Sequence, residues 1–329
     1  MWASWSGLVK MMAKKSGNIV TLKQGSGDLF LLGLFHYSPL KSICKQDNMF
    51  KFSVLGISLL LISGCFAIPQ QAQLLSNIEK TSNTKHCFSS SIQSSHTQVL
   101  KHKKITLISW NAYKGNKAGW LQDLSNLSHH SDLILLQEAY LNEDLKQLLE
   151  SSQYNWDMVT AFRYQGIAAG VMTLSRTPAK SSCVQRSVEP WLRLAKSALI
   201  SYYPIENSQQ SLLVTNIHAI NFTLGTARFS EQLEAIKNVL LAHQGPIIFA
   251  GDFNTWSDSR EQVLEKITAD PQLNLLKVEF SSTVETLVSG HRLDHIFFRG
   301  LQIMSAKILP LESSDHYPLK IQFELLAIK

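Results

Sequence analysis

Pro246-Ile-Ile-Phe-Ala-Gly-Asp-Phe-Asn-Thr-Trp256 is the stretch of the sequence that decides its interpretation. Four apolar residues, Ile247 to Ala250, predict a short buried strand that ends at Gly251. Asp252 and Asn254 follow, so a carboxylate and an amide stand just beyond the strand end, where ligands of open α/β sheets collect. Gly, Asp and Asn are also the usual residues of turns, so the stretch alone indicates either a site or a plain turn.

The sequence around this stretch alternates between strand-like and helix-like patterns from residue 104 onward. Apolar runs predict strands at residues 105–110, 133–136, 156–161, 168–175, 196–203, 211–218, 247–250, 293–298, 303–309 and 317–325. Apolar residues three and four apart predict helices near residues 120–127, 141–150, 226–243 and 258–268. Many strands and few helices, with several strands fully apolar, favour two stacked sheets flanked by helices.

Composition is typical of a globular protein, with 45% hydrophobic and 17% charged residues. The net charge of +6 would suit a nucleic-acid partner, but it is unevenly distributed. Residues 1–103 hold 11 of the 31 basic residues and 3 of the 25 acidic ones, so residues 104–329 carry 20 basic and 22 acidic residues. Bulk charge therefore does not support a duplex-binding surface there. The residues that would form either a local anion patch or solvated surface are Arg163, Arg176, Arg193, Lys196 and Arg228.

The first 67 residues divide into two segments. Residues 1–48 show no sustained period, which predicts an unstructured or untranslated extension. Residues 49–67 have a Met, a Lys and an apolar run that ends in small residues, the layout of a signal peptide. Its Ile62-Ser-Gly-Cys65 resembles the bacterial lipobox, which predicts export to the periplasm or a membrane tether through a lipidated Cys65. A buried or interfacial helix, an uncleaved anchor and a cytoplasmic location remain alternatives.

Residues 68–103 are rich in Ser, Gln, Asn, Thr and Lys, which predicts a flexible linker. Cys87 and Cys183 would remain unmodified in a mature lipoprotein, and no sequence feature decides whether they form a disulfide. No Cys-x-x-Cys motif and no Cys/His pair has zinc spacing, so any metal is expected to bind to oxygen ligands.

Polar side chains also stand at the ends of the other predicted strands. In chain order the segments are Trp110-Asn111, Leu136-Gln137-Glu138, Asn216-Ile217-His218, Gly251-Asp252-Phe253-Asn254, Leu293-Asp294-His295-Ile296-Phe297 and Ser314-Asp315-His316-Tyr317-Pro318. A single histidine or Asp-His pair is a weak signal, but acids and amides at several strand ends together suit a hard divalent cation.

These six motifs, in this order within residues 104–326, resemble those of the endonuclease/exonuclease/phosphatase family, which has the deoxyribonuclease-I-like fold. The sequence at residues 170–175, 194–199 and 216–225 is similar to that of the bacterial YafD-like branch. The resemblance implies an α+β fold in which residues 104–329 form a four-layer α/β/β/α sandwich of two mixed sheets with flanking helices. It also implies a metal-dependent phosphoesterase.

The resemblance implies a metal site and a water-activating group. Glu138 would be the main ligand of Mg²⁺ or Mn²⁺, with Asn111 and Asp315 completing the site directly or through water. Asp252 would orient or deprotonate the attacking water, and Asn254 would hold that water or a phosphate oxygen.

The resemblance also assigns groups that contact the substrate. His316, paired with Asp294, would contact the scissile phosphate, while Asn111 would bind substrate as well as metal. His218, with Asn221 nearby as a substrate-binding residue, would stabilise charge on the phosphorus or assist the leaving group. Where nucleases of the family often carry another polar ligand, this chain has Tyr113, followed by Lys114 and Lys117.

Four functions are compatible with these motifs. A phosphoesterase acting on a phosphodiester or phosphomonoester is the main expectation, and it includes a secreted nuclease for DNA or RNA and a phospholipid or sphingomyelin phosphodiesterase. A catalytically silent binding module on the same fold is the alternative from another class. Loss of Glu138, Asp252 or His316 would favour that module, and all three are present. The sequence predicts no particular oligomeric state.

Overall fold

The structure is a computed structural model that describes residues 66–82, 86–90, 100, 104–190, 194–277, 287–288 and 290–326. All of these belong to the compact unit formed by residues 62–329. The predicted extension at residues 1–48, the lipobox with Cys65, and Arg193 lie outside the described residues.

Sixteen strands, numbered in chain order, form two eight-stranded mixed sheets. The first sheet contains β1 (Phe66–Ala67), β2 (Gln73–Ser76), β5 (Lys104–Asn111), β6 (Leu133–Tyr140), β7 (Asn155–Tyr164), β8 (Ile167–Ser175), β17 (Leu301–Ile308) and β18 (Leu319–Leu325). The second contains β3 (Lys80–Ser82), β4 (Cys87–Ser90), β9 (Ser181–Val188), β10 (Ala195–Pro204), β11 (Ser211–His218), β12 (Ile247–Asp252), β13 (Asn274–Leu275) and β16 (Asp294–Arg299). A separate ribbon pairs β14 (Leu287–Val288) with β15 (His291–Arg292).

Four α-helices are described: α1 (Trp120–Ser128), α2 (Glu143–Ser151), α3 (Ala227–Ala242) and α4 (Asp258–Ala269). The side chain of Asn142 caps α2 by accepting a hydrogen bond from the Leu145 backbone N–H at 3.0 Å. The apolar residues that the sequence predicts at three- and four-residue spacing form the buried face of α3. Within the described part of the chain, the helices lack the length and apolar character needed to span a membrane.

The apolar runs form strands that are buried on both faces. In β5, Leu107 packs between the sheets, whereas Ile108 packs under α1 and α2. In β12, Ile248 faces the space between the sheets and Phe249 packs under α3 and α4. Successive residues of each strand point to opposite faces of the sheet, and both faces are covered. The side chains therefore fill three apolar layers, one between the sheets and one under each pair of helices, so the strands appear in the sequence as continuous apolar runs. The four-layer α/β/β/α sandwich predicted from the resemblance is confirmed.

The prediction of a flexible linker over residues 68–103 is wrong for its described part. Strand β2 pairs with β7, and β4 pairs with β9, so this segment adds edge strands to both sheets. Phe66–Ala67, placed at the end of the predicted signal peptide, is β1 and also pairs with β7. Backbone pairing does not require apolar side chains at a sheet edge, so the polar composition of the segment misled the prediction.

Two contacts fix the N-terminal strands to the domain. Cys87 and Cys183 stand opposite each other on β4 and β9 and form a disulfide. The ammonium of Lys80 forms a buried ion pair with Asp157 and donates to the Ser182 hydroxyl at 2.9 Å. The globular domain therefore begins before residue 104.

Candidate active site

Four predicted site residues meet because parallel strands end at the same edge of each sheet. Strand β5 runs parallel to β6 in the first sheet and ends at Asn111. Strand β11 runs parallel to β12 in the second sheet, and its last residue, His218, is in register with Asp252. The antiparallel β16 places Asp294 opposite Asp252. The side chains at these strand ends face one another because the two sheets are stacked.

Asp252 is the centre of the cluster and is buried. Its Oδ2 accepts a hydrogen bond from the Asn111 side-chain amide at 2.9 Å, and its Oδ1 accepts one from the Asn254 backbone N–H at 3.0 Å. The Nε2 atoms of His218 and His316 lie 3.4 Å and 3.9 Å from Oδ2. The carboxylate is therefore fixed in orientation between two imidazole rings.

The backbone around Asp252 explains the Gly-Asp-Phe-Asn sequence. Gly251 has φ +143°, and a Cβ there would lie 2.0 Å from the Ile217 carbonyl oxygen on the neighbouring strand. Asn254 has φ +51°, a left-handed conformation that asparagine tolerates. Buried Arg260 of α4 donates to the Asn254 carbonyl at 2.7 Å and so holds the turn against the helix.

His316 is held in its charged form. Its Nδ1 lies 2.7 Å from an Asp294 carboxylate oxygen, as the sequence predicted. Burial alone would lower the pKa of His316, but Asp294, together with the charges of Asp252 and Asp315, raises it to about 10. An imidazolium therefore faces Asp252 at neutral pH.

The loop that carries His316 is pinned to the end of β5. The indole of Trp110 donates to the His316 carbonyl at 3.0 Å, and the Ser314 hydroxyl donates to the Asn111 carbonyl at 2.6 Å. The Trp-Asn and Ser-Asp-His motifs, far apart in sequence, thus form one unit. Asp315 lies within this loop, and its charge acts on His316.

His218 is neutral although it faces the same carboxylate. The ammonium of Lys196, on the adjacent strand β10, lies 2.6 Å from His218 Nε2. Burial and the Lys196 charge lower the pKa of His218 to about 3, and the nearby Asp252 offsets part of the effect. The site therefore presents one charged and one neutral imidazole on two sides of Asp252.

Glu138 stands on a bulge of β6. The register between β6 and β8 shifts between Leu136 and Ala139, and Glu138 has φ +52°. Its carboxylate forms an ion pair with Lys114, and its Oε1 lies 3.9 Å from His218 Nε2. Burial alone would raise the pKa of Glu138, but the Lys114 and Lys196 charges hold it well below its usual range.

A polar network between the sheets underlies the bulge. Buried Gln137 donates to the side-chain oxygen of Asn216 at 2.8 Å. The Asn216 amide in turn donates to the carbonyls of Leu136 and Met172 at 3.2 Å and 2.9 Å. These bonds satisfy backbone groups at the bulge and tie β6 and β8 to β11. The network gives structural roles to the polar residues beside Glu138 and His218 in the two motifs.

The side chains of two predicted substrate-binding residues form hydrogen bonds within the protein. The Asn221 side-chain oxygen accepts a hydrogen bond from the Trp256 indole at 2.9 Å. The Asn254 side-chain amide donates to the Ala219 carbonyl at 2.9 Å. Both residues thus hold the loops around Asp252 in this structure.

The predicted metal ligands fit a hard divalent cation in part. Glu138 is a half-buried carboxylate that already contacts a cation, the Lys114 ammonium, so its surroundings suit a positive charge. By contrast, the side-chain oxygen of Asn111 already accepts a hydrogen bond from the Tyr113 backbone N–H at 3.1 Å. Among the described residues, the acidic and imidazole groups compact enough to surround an ion are Asp252 with Asp294 and His316, and Asp258 with Glu261 and His291. The first group consists of residues predicted as catalytic.

Two lysines, Lys114 and Lys196, reach the site, and no sequence pattern predicted either contact. The sequence leaves Lys196 as part of either a local anion patch or solvated surface, and in the structure its ammonium contacts His218. Among the other basic residues of the suggested patch, Arg176 lies over the Tyr154 ring and Arg228 forms an exposed pair with Glu231. Lys196 is the second residue of β10, and β10 pairs with β11, which carries His218. This position was the available signal for the contact between Lys196 and His218.

Comparison with known proteins identifies the class to which this fold and site belong. The sequence model of the endonuclease/exonuclease/phosphatase family matches residues 108–316. This chain belongs to that family. A UPF0294 protein of Vibrio parahaemolyticus is 37% identical over 286 residues, covering 84% of this chain and 99% of the relative. The similarity to the YafD-like branch is thereby confirmed.

Solved structures show the same fold at low sequence identity. An endonuclease/exonuclease/phosphatase from Beutenbergia cavernae has a TM-score of 0.55 and 15% identity, with 69% of this chain and 72% of that chain covered. The human Nocturnin catalytic domain with bound sulfate anion has a TM-score of 0.53 and 18% identity, with 70% and 97% covered. At these identities the likeness extends to the fold and not to substrate.

Proposed function

We propose that this protein is a divalent-metal-dependent phosphoesterase that hydrolyses a phosphodiester or phosphomonoester by attack of an activated water. The observation that carries the proposal is the convergence of His218 and His316 on the buried Asp252 carboxylate. Members of the family are generally hydrolases of phosphate esters. A fixed carboxylate beside a cationic imidazole supplies a base for water and a positive charge for the phosphate.

The roles follow from the charge of each group. Asp252 orients the water and accepts its proton, while the His316 imidazolium binds a non-bridging phosphate oxygen. The Nε2 atom of neutral His218 accepts a hydrogen bond from the Lys196 ammonium, so the ring carries its proton on Nδ1 and donates from there to the leaving oxygen or to a phosphate oxygen that gains charge. A divalent cation, when bound with Glu138 as the main ligand and Asn111 and Asp315 as its partners, would neutralise the phosphate. Mg²⁺ and Mn²⁺ both suit this oxygen-rich set.

Two narrower substrate classes within the phosphate esters are alternatives. A secreted nuclease is the alternative that the family name suggests, but residues 104–329 carry 22 acidic and 20 basic residues, which argues against a broad duplex-binding face. A phospholipid or sphingomyelin phosphodiesterase is the alternative that a membrane tether would favour.

Hydrolysis assays test the proposal directly. The purified protein is assayed with Mg²⁺ and with Mn²⁺ on bis-p-nitrophenyl phosphate, plasmid DNA, RNA and phospholipids, beside Asp252→Ala and His316→Ala. We expect turnover of at least one substrate and a fall of about 10²-fold or more in both variants. Absence of turnover on every substrate would favour the silent binding module, and variants equal to wild type would exclude these catalytic roles.

We also propose that the domain works outside the cytoplasm, in the periplasm or tethered to a membrane through Cys65. The Cys87–Cys183 disulfide supports this location because such bonds persist in oxidising compartments. Labelling cells with a palmitate analogue tests the tether. Wild type should be labelled and Cys65→Ser should not; equal labelling of both would exclude lipidation at Cys65.

A further inference from the structure

The ion pair between Lys114 and Glu138 joins a lysine to the residue predicted as the main metal ligand. The Lys114 ammonium contacts Oε2 of Glu138. The side chains are 24% and 13% exposed, so the pair lies at the wall of the site and not on open surface. A cation is thus already bound to one carboxylate oxygen of the predicted main metal ligand.

Backbone conformation on both sides favours this pairing. Lys114 belongs to the short 3-10 turn Tyr113–Gly115 after β5, and both Tyr113 and Lys114 have positive φ, 48° and 58°. Glu138 has φ +52° on its bulge. Left-handed backbone at residues other than glycine costs free energy and persists where surrounding structure holds it. Packing of Gly115 against the Trp120 ring, which a Cβ at Gly115 would overlap at 2.1 Å, holds the turn.

We propose that Lys114 is a built-in counter-ion that occupies the metal position at Glu138, so that a divalent cation must displace its ammonium in order to bind. The inference rests on the proposed function, because it takes Glu138 as a metal ligand. An ammonium and a divalent cation on one carboxylate would repel each other strongly at contact distance. The long, partly exposed side chain of Lys114 allows the ammonium to move away.

The same loop provides a matched control. Lys117 also carries a positive charge, but its ammonium donates to a neutral acceptor, the Ser314 carbonyl, at 2.5 Å. Removing that charge leaves the Lys114–Glu138 pair in place. A difference between variants of Lys114 and Lys117 therefore reports on the ion pair and not on the overall charge of the loop.

The experiment measures metal binding to the metal-free protein by calorimetric titration with Mn²⁺ and with Mg²⁺, without substrate. We expect Lys114→Met to tighten the Mn²⁺ dissociation constant about tenfold or more, because the competing ammonium is gone. Lys114→Arg and Lys117→Met should stay within about twofold of wild type, while Glu138→Gln should lose the site. Circular dichroism of each variant verifies that the fold is retained.

The outcomes test two claims: that the Lys114 ammonium competes with the metal, and that Glu138 binds the metal. Lys114→Met with wild-type affinity for Mn²⁺ would overturn the inference. Weaker binding by Lys114→Met would also overturn it and would mean that Lys114 positions Glu138 for the metal. Absence of metal binding to both wild type and Lys114→Met would contradict the proposed metal site together with the inference. A Glu138→Gln variant that binds Mn²⁺ like wild type would place the ion elsewhere and contradict the proposed metal site itself.

Discussion

His316 and His218 approach the same oxygen of Asp252, yet they carry different charges. The difference arises from the second charged group that contacts each ring. His316 has the Asp294 carboxylate behind it, whereas His218 has the Lys196 ammonium beside it. The negative charge of Asp294 keeps the His316 ring protonated near pH 7, and the positive charge of Lys196 keeps the His218 ring neutral.

The charge of His316 predicts a dependence of stability on pH. Its pKa in the folded protein is about 10, above the ordinary value of 6.5. The protonated ring therefore stabilises the fold fully below about pH 6.5, and this contribution is lost as pH rises through about 10. Asp294→Asn removes the partner that raises the pKa. We expect the difference in free energy of unfolding between wild type and Asp294→Asn to shrink from about pH 6.5 to 10.

Urea denaturation of both proteins across this pH range measures the difference. NMR titration of the His316 ring in Asp294→Asn gives an independent check, because its pKa should move down toward the ordinary value. A difference in stability that is constant or grows with pH would contradict the assignment of charge to His316.

At the scale of elements, strand ends and turns could be predicted because their signals are local. Residues 247–250 read as a strand, and the structure has β12 at Ile247–Asp252. The bulge that turns Glu138 into the site could not be predicted, because it depends on the pairing of β6 with β8. The contact of Lys196 with His218 likewise depends on β10 lying beside β11. Local patterns identify strand ends, and strand pairing decides which side chains meet.

The close approach of β11 and β12 predicts a large effect of one methyl group. Gly251→Ala would place a Cβ 2.0 Å from the Ile217 carbonyl oxygen in a backbone conformation that disfavours side chains. We expect a loss of about 3 kcal/mol in free energy of unfolding. Gly225→Ala is the control, since Gly225 has φ +65° but open space around it, and should cost about 1 kcal/mol. Equal losses in the two variants, measured by chemical denaturation, would contradict the close approach.

At the scale of the whole molecule, residues 66–82 and 86–90 form strands of the domain. The polar composition of residues 68–103 predicts a linker, because strands at a sheet edge do not require an apolar pattern. Two long-range contacts then bind them, the Cys87–Cys183 disulfide and the Lys80–Asp157 pair. The sequence left the Cys87–Cys183 disulfide undecided, and no local pattern predicted that Lys80 would meet Asp157, 77 positions away.

The buried pair predicts how much the N-terminal strands stabilise the fold. Lys80→Met leaves the Asp157 carboxylate buried without its cation, and we expect a loss of about 3 kcal/mol in free energy of unfolding. Lys146→Met breaks the exposed pair with Glu143 and should cost less than about 0.5 kcal/mol. Denaturation curves of both variants measure the difference. If Lys80→Met is as stable as wild type, β3 does not pack on the domain as described.

The claim that Asp252 lies at the centre of a phosphoesterase site has the most direct test. The initial rate of bis-p-nitrophenyl phosphate hydrolysis is measured with saturating Mg²⁺ or Mn²⁺ for wild type, Asp252→Asn and Asp258→Asn. Asp258 lies six positions further along the chain, and its carboxylate is exposed. We predict metal-dependent turnover by wild type and Asp258→Asn, and a rate about 10²-fold or more lower for Asp252→Asn with the fold intact. A folded Asp252→Asn protein that hydrolyses the ester at the wild-type rate would contradict the claim.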